Sequence, residues 1–186
     1  MKVHTMRLQT LSVGLCAAVL AMSAPAAARS DDVLACTSMA LGNDFPAQIG
    51  ALMTRDNADS TQTDRVFEQL AKASDACGQR AGMDAEELNA FFDYNMGRIA
   101  REWMAVQIET YGISPVVVDN AADLGPGLTN PSMEAGVPDT LIETIVAAVA
   151  ESGVDTDAMS SEGWAMVGSY LAATSAMWNA HAKLKP

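Results

Sequence analysis

The residues from 85 to 111 form the most strongly periodic segment of the chain, and they constrain its fold more than any other feature. Asp84 and Glu87, three positions apart, match the capping box that opens many helices. Apolar side chains then recur at helical spacing, and we predict that these line the buried face: Leu88, Phe92, Ile99, Trp103 and Val106. A helix of this length needs other helices to cover its apolar side, so the segment predicts a helical bundle.

Shorter segments on both sides of this helix also carry helical periodicity. We predict one or two short helices within 31–54, with a break near Gly42, and a polar loop over 55–63. A helix is predicted from Asp64, with these residues on its inward face: Phe67, Leu70, Ser74 and Cys77. Two further helices are predicted, over 138–151 and 157–183. The predicted fold class is therefore all-α, an irregular bundle of four or five helices.

One stretch, residues 112–138, lacks regular periodicity. It contains four prolines and several glycines, and its three consecutive valines at 116–118 have no partner strand elsewhere in the chain. We predict that the whole stretch is an irregular loop, because prolines and glycines at this density interrupt both helices and strands. Loops of this length are typically functional or mobile.

The first 28 residues have the order of an export signal. Lys2 and Arg7 precede an apolar run over 11–22, and small residues end the segment at Ala28. The apolar run is too short to span a bilayer, which needs about 20 helical residues. We predict cleavage after Ala28, a single helical domain over 29–186, and a periplasmic or secreted location.

The cysteine count then leaves one possible disulfide. Cys16 departs with the signal, so Cys36 and Cys77 remain in a compartment where disulfides persist. Both lie on the predicted inward faces of helices. Closing their 41-residue separation stabilises the fold by about 4 kcal/mol on the polymer estimate, so we predict a structural disulfide.

Charge limits the partners of the mature chain. The full sequence has a formal net charge of −12, and loss of Lys2 and Arg7 makes it two units more negative. Such a chain repels phosphate backbones and anionic lipid surfaces, so no nucleic acid partner is expected. No segment after the signal is apolar enough to span a membrane, and we expect the partner to be another envelope protein.

The sequence contains none of the common catalytic motifs. Phosphate-binding loops, nucleophile elbows and HExxH helices are absent, and His181 is the only imidazole after His4 leaves with the signal. The acidic runs 56–64 and 155–162 lack the central glycine and the terminal glutamate of a calcium loop. We therefore predict no catalytic residue, no metal site and a non-enzymatic accessory or interaction role.

The alternative function is binding of a hydrophobic small molecule, or of haem as cofactor, inside the bundle. Met177 and His181 lie four residues apart on one predicted helix, and a methionine with a histidine can hold haem iron. The predicted ligand-binding set consists of Trp103, Trp164, Met177, Trp178 and His181.

The last predicted helix also has a small residue at every fourth position along one row. These are Gly168, Ala172, Ala176 and Ala180. Small side chains allow another backbone to approach closely, so we predict that this row packs against the long helix near Gly97.

Overall fold

A computed structural model describes residues 29–53 and 60–185, and this part of the chain consists of helices joined by turns and loops, without strands. Its helices are α1 (Asp31–Leu41), α2 (Phe45–Met53), α3 (Ser60–Arg80), α4 (Ala85–Thr110), α5 (Pro115–Ala121), α6 (Asp139–Glu151) and α7 (Ser161–His181). The predicted all-α class is confirmed, with seven helices rather than four or five. The predicted export signal, 1–28, and its cleavage site lie outside the described residues.

The capping box at the start of α4 is present as the sequence predicts. The side chain of Asp84 accepts hydrogen bonds from the backbone N–H groups of Glu86 and Glu87. In return, the backbone N–H of Asp84 donates to Glu87 Oε2 at 3.3 Å. These bonds satisfy N–H groups that the first helical turn leaves without partners, which fixes where α4 begins.

Helices α4 and α7 form the central pair of the fold and run antiparallel. Tyr94 lies beside His181, with ring centroids 5.7 Å apart, whereas Tyr111 at the other end of α4 lies beside Gly163. Between these points, a Cβ added to Gly97 would lie 2.8 Å from the backbone nitrogen of Met177. The predicted close approach at Gly97 is confirmed, because only glycine fits there.

The other helices cover parts of this pair. Helices α1 and α3 pack against each other and against α4, α2 packs mainly on α4, and α5 joins α6 to the opposite side. The disulfide between Cys36 and Cys77 links α1 to α3, with a Cα–Cα distance of 6.0 Å. The predicted disulfide is therefore confirmed.

The buried face of α4 differs in part from the predicted one. Ile99 is buried as predicted, but Val106 is 57% exposed, and Leu88, Phe92 and Trp103 are only partly buried. The most deeply buried apolar side chains are instead Phe91, Ile99, Met104 and Ile108. The prediction was wrong for Val106, whereas Leu88, Phe92 and Trp103 pack against the core without being fully buried. Because α4 contacts helices on several sides, no single stripe describes its core face.

The prediction of an irregular loop over 112–138 was also wrong in part, because α5 lies within it. Ser114 occupies the N-cap position and Pro115 the first helical turn, where the fixed φ of proline favours a helix. Val118 is fully buried, so packing stabilises this short helix. The rest of the stretch is irregular as predicted.

Helix α3 begins before its predicted start. It opens at Ser60 rather than Asp64, so the end of the predicted polar loop 55–63 is helical. The first part of that loop, residues 55–59, lies outside the described residues. Helix boundaries depend on capping contacts within a turn, which a polar run without a clear cap does not reveal.

Candidate functional site

The five residues predicted to bind a ligand fall in separate places. Trp178 and His181 are in contact, with ring centroids 5.5 Å apart, and Met177 lies beside them, 6% exposed. Burial lowers the pKa of His181. Trp164 lies 14 positions earlier on α7, about 21 Å away along the helix. Trp103 packs on α2, where its indole occupies the space that a Cβ at Gly50 would need.

A cleft of about 670 Å³ lies between α4 and α7, and none of those five residues lines it. Small residues of the two helices form its floor: Gly97, Ala100, Ala172, Ala173, Ala176 and Ala180. One wall comes from α2 and α3, through Leu52 and Phe67, and the other from the loop after α5, through Met133. No pattern in the sequence predicted this cleft.

The row of small residues on α7 explains why the cleft is open. Ala172 and Ala176 are exposed to it, whereas their neighbour Ala173 packs against Gly97 of α4. A Cβ added to Gly168 would meet no atom within 4 Å. The row predicted to contact the long helix is therefore mostly turned away from it, and no helix of the described residues covers Ala172 and Ala176.

Two polar side chains of the lining hold the loop wall in place. Ser175 Oγ donates to the carbonyl of Pro131 at 2.7 Å, and Asn179 Nδ2 donates to the carbonyl of Asn130 at 3.0 Å. Asn130 in turn closes its own loop, because its side-chain oxygen accepts from the N–H of Gly125 at 2.8 Å. These groups are occupied by the fold, so they have little capacity left to orient a ligand.

The rim of the cleft carries charge. Asp93, Glu134 and Lys183 line it, and all three are exposed. Within the described residues, no ion pair engages Asp93 or Glu134. The acidic groups of the rim are therefore available to a partner.

Three methionines contribute to the lining. Met96 is partly buried, and Met104 and Met133 are buried. The flexible thioether side chain of methionine fills irregular shapes and is common at surfaces that accept varied apolar ligands. Residues 96, 104 and 133 are far apart in the sequence, so no spacing pattern predicted that these methionines share a cleft.

A separate buried cluster joins α4, α5 and α7. The hydroxyl of Tyr170 donates to Asp119 Oδ1 at 2.7 Å, and Arg101 Nη2 lies 2.7 Å from Asp119 Oδ2. Burial and the bond to Asp119 raise the pKa of Tyr170 far above its usual range. The phenol therefore stays protonated, and the fully buried Tyr170 fastens α5 to the central pair.

A second charged junction lies at the start of α4. Arg29 Nη2 contacts Glu87 Oε1 at 2.6 Å, and Arg29 Nη1 donates to the carbonyl of Ala81 at 3.1 Å. The backbone N–H of Lys185 donates to the same oxygen of Glu87 at 3.1 Å. The bond from Arg29 is the main cause that lowers the pKa of Glu87. Residues near both ends of the described chain thus meet at one carboxylate.

Among the described residues, no group of three or more histidine, cysteine, aspartate or glutamate side chains is arranged to hold a metal ion. No helix in the same part of the chain combines the length and the apolar character needed to cross a membrane. No protein-family model, no curated protein and no solved structure matches this chain.

Proposed function

We propose that this protein is an exported, non-enzymatic binding module that takes an apolar segment of its partner into the cleft between α4 and α7. The observation that carries this proposal is an apolar cleft of about 670 Å³ on the central helix pair. Binding sites for ligands typically have volumes of about 300–1,000 Å³ and predominantly apolar linings. Burying such a surface on a partner removes it from water, which is the main driving force for association.

The chemistry of the lining supports binding rather than catalysis. Catalysis by a serine needs a base within hydrogen-bonding distance, but Ser175 donates to the carbonyl of Pro131 instead. His181, the one imidazole of the described residues, does not line the cleft. The charged side chains of the lining, Asp93, Glu134 and Lys183, are all exposed at the rim.

The proposed location outside the cytoplasm has two supports. The sequence begins with the pattern of an export signal, and the disulfide between Cys36 and Cys77 is of the kind that persists in oxidising compartments. A periplasmic or secreted protein of this kind would meet other envelope or exported proteins. We propose that its partner is one of these.

Binding of haem at Met177 and His181 receives less support from the geometry. Met177 packs in a cluster with Phe91 and Tyr94, so its sulfur lies in a filled part of the core. The ring of His181 contacts both Tyr94 and Trp178. A hydrophobic small molecule in the cleft itself remains the alternative occupant.

The experiment that tests the proposal is titration of residues 29–186 with Nile red, an uncharged dye that fluoresces in apolar sites. Ala176→Trp fills the floor of the cleft, and Ala165→Trp adds the same side chain at an exposed position of α7 outside it. We expect Ala176→Trp to weaken dye binding about tenfold, equivalent to ~1.4 kcal/mol, and Ala165→Trp to leave it unchanged. Equal binding by all three proteins would contradict the proposal.

A further inference from the structure

We infer that the occupant of the cleft is an α-helix of a partner protein, with a narrow apolar face flanked by lysine or arginine. This inference rests on the proposed function and specifies the ligand of that same site. Three properties of the cleft support it: the shape of its floor and walls, the use of its polar groups within the fold, and the charge around its rim.

The floor has the surface that helices use to pack closely. Ala172 and Ala176 lie four positions apart on α7, and both are exposed toward the cleft. Small side chains at this spacing let a second helix approach without steric conflict. The neighbouring side of α7 already packs in this manner, since the backbone at Ala173 and Met177 lies directly against Gly97.

The walls give the cleft the form of a trough along α7. Phe67, which is 39% exposed, and Leu52 form one side, and Met133 forms the other. The lining extends along α7 from Ser169 to Lys183, which corresponds to about 21 Å, or four turns of a helix. An elongated trough with a floor of small residues and apolar walls matches the binding of an amphipathic helix in a groove.

The polar groups of the lining do not converge on a common point, as those of a small-molecule site usually do. Ser175 and Asn179 donate to backbone carbonyls of the loop wall. The oxygen of Ser132 accepts from the backbone N–H of Glu134 at 3.5 Å. A helix needs no such groups, because its backbone hydrogen bonds are satisfied internally.

The charge of the rim favours a partner with positively charged side chains. Asp93 and Glu134 are exposed and form no ion pair within the described residues, whereas Lys183 is the one basic group of the lining. The whole chain has a formal net charge of −12, so its long-range field also attracts cations. Basic residues beside the apolar face of the partner helix would complement both the carboxylates of the rim and the net negative charge of the chain.

Photo-cross-linking of the full-length chain in its own cells tests the inference. Benzoylphenylalanine replaces Ala176 in the cleft or, as the matched control, Ala165 outside it, and mass spectrometry identifies the attached molecule. We expect an adduct at position 176 only, on a helical peptide with an apolar stripe and flanking lysine or arginine. The synthetic form of that peptide should bind purified residues 29–186, and Asp93→Asn with Glu134→Gln should weaken its affinity roughly two- to tenfold.

The outcomes separate this inference from the proposed function. A lipid or another small amphiphile attached at position 176 alone would overturn the helical occupant and leave the binding cleft in place. A cross-link to a second copy of this chain, or to an acidic or non-helical peptide, would also overturn it. No adduct, or the same adduct at both positions, would overturn the inference and the proposed function together.

Discussion

The two faces of α7 carry similar small residues and yet have opposite surroundings. On one face, Ala173 and Met177 contact α4 so closely that Gly97 has no space for a Cβ. On the neighbouring face, Ala172 and Ala176 line an open cleft, whose lining also includes Ala173 and Gly97. Small side chains thus permit close helix packing without requiring it. Whether such a face is closed depends on a helix lying opposite, which makes the open face available for binding.

The largest expected effect concerns the disulfide between α1 and α3, which does not line the cleft. Replacing Cys36 and Cys77 by alanine should lower the free energy of unfolding by about 4 kcal/mol, because the unfolded chain gains the entropy of an open 41-residue separation. Urea unfolding of residues 29–186 measures this loss. Binding of Nile red at low temperature should not change, because neither cysteine lines the cleft. A loss of dye binding would show that the structure of the cleft depends on the disulfide.

Two alanine substitutions compare the faces directly. Gly97→Ala should cost about 2 kcal/mol, because its Cβ would force the backbone of α7 away. Gly168→Ala meets nothing within 4 Å, and it should stabilise the protein by roughly 0.5–1 kcal/mol through the higher helix propensity of alanine. Thermal unfolding measures both changes. Equal effects of the two substitutions would contradict the distinction between a packed and an open face.

The hydroxyl of Tyr170 tests how strongly α5 is held to the closed face. Tyr170→Phe removes a buried hydrogen bond to the carboxylate of Asp119 and should cost about 1.5 kcal/mol. Tyr111→Phe is the matched control, since Tyr111 is 38% exposed and should tolerate loss of its hydroxyl. Chemical denaturation of both variants measures the difference. A Tyr170→Phe protein as stable as the control would show that Arg101 alone suffices to hold Asp119.

The smallest expected effect is a change in the pH dependence of stability. Arg29 lowers the pKa of Glu87 in the folded protein, so the stabilising contribution of the carboxylate is present above its unfolded pKa. That contribution is lost as the pH falls through the lower, folded pKa. Glu87→Gln should therefore lose less stability than the wild type between pH 7 and about 3. The control is Glu109→Gln at an exposed position, and parallel pH profiles for all three proteins would contradict the role of Arg29.

Features that depend on neighbours within a few turns could be predicted from the sequence. The capping box of Asp84 and Glu87 needs only residues three apart, and it was predicted correctly. The cysteine pairing followed from counting, because one partner remained for each thiol. Gly97 was correctly predicted to mark a close contact, since glycine in mid-helix is costly without a packing reason.

Features that depend on several helices at once were predicted less well. Val106 fits the apolar periodicity of α4, but its side chain is 57% exposed, and no helix of the described residues buries it. The structure places Trp103, Trp164, Met177, Trp178 and His181 outside the lining of the cleft, and the binding of a ligand by these residues stays a prediction. Met133 joins Met96 and Met104 of α4 in the cleft because the loop after α5 lies against α7.

The sequence by itself determined the helical class, the start of α4, the disulfide and the need for small residues on α7. It could not determine which side of α7 would be covered, because small and apolar residues occur around the whole of that helix. Periodicity selects a buried face only where the other faces are polar. Only the tertiary structure decided which side of α7 is covered. Helix α4 packs on one side of α7, and α2, α3 and the loop after α5 leave a cleft beside it.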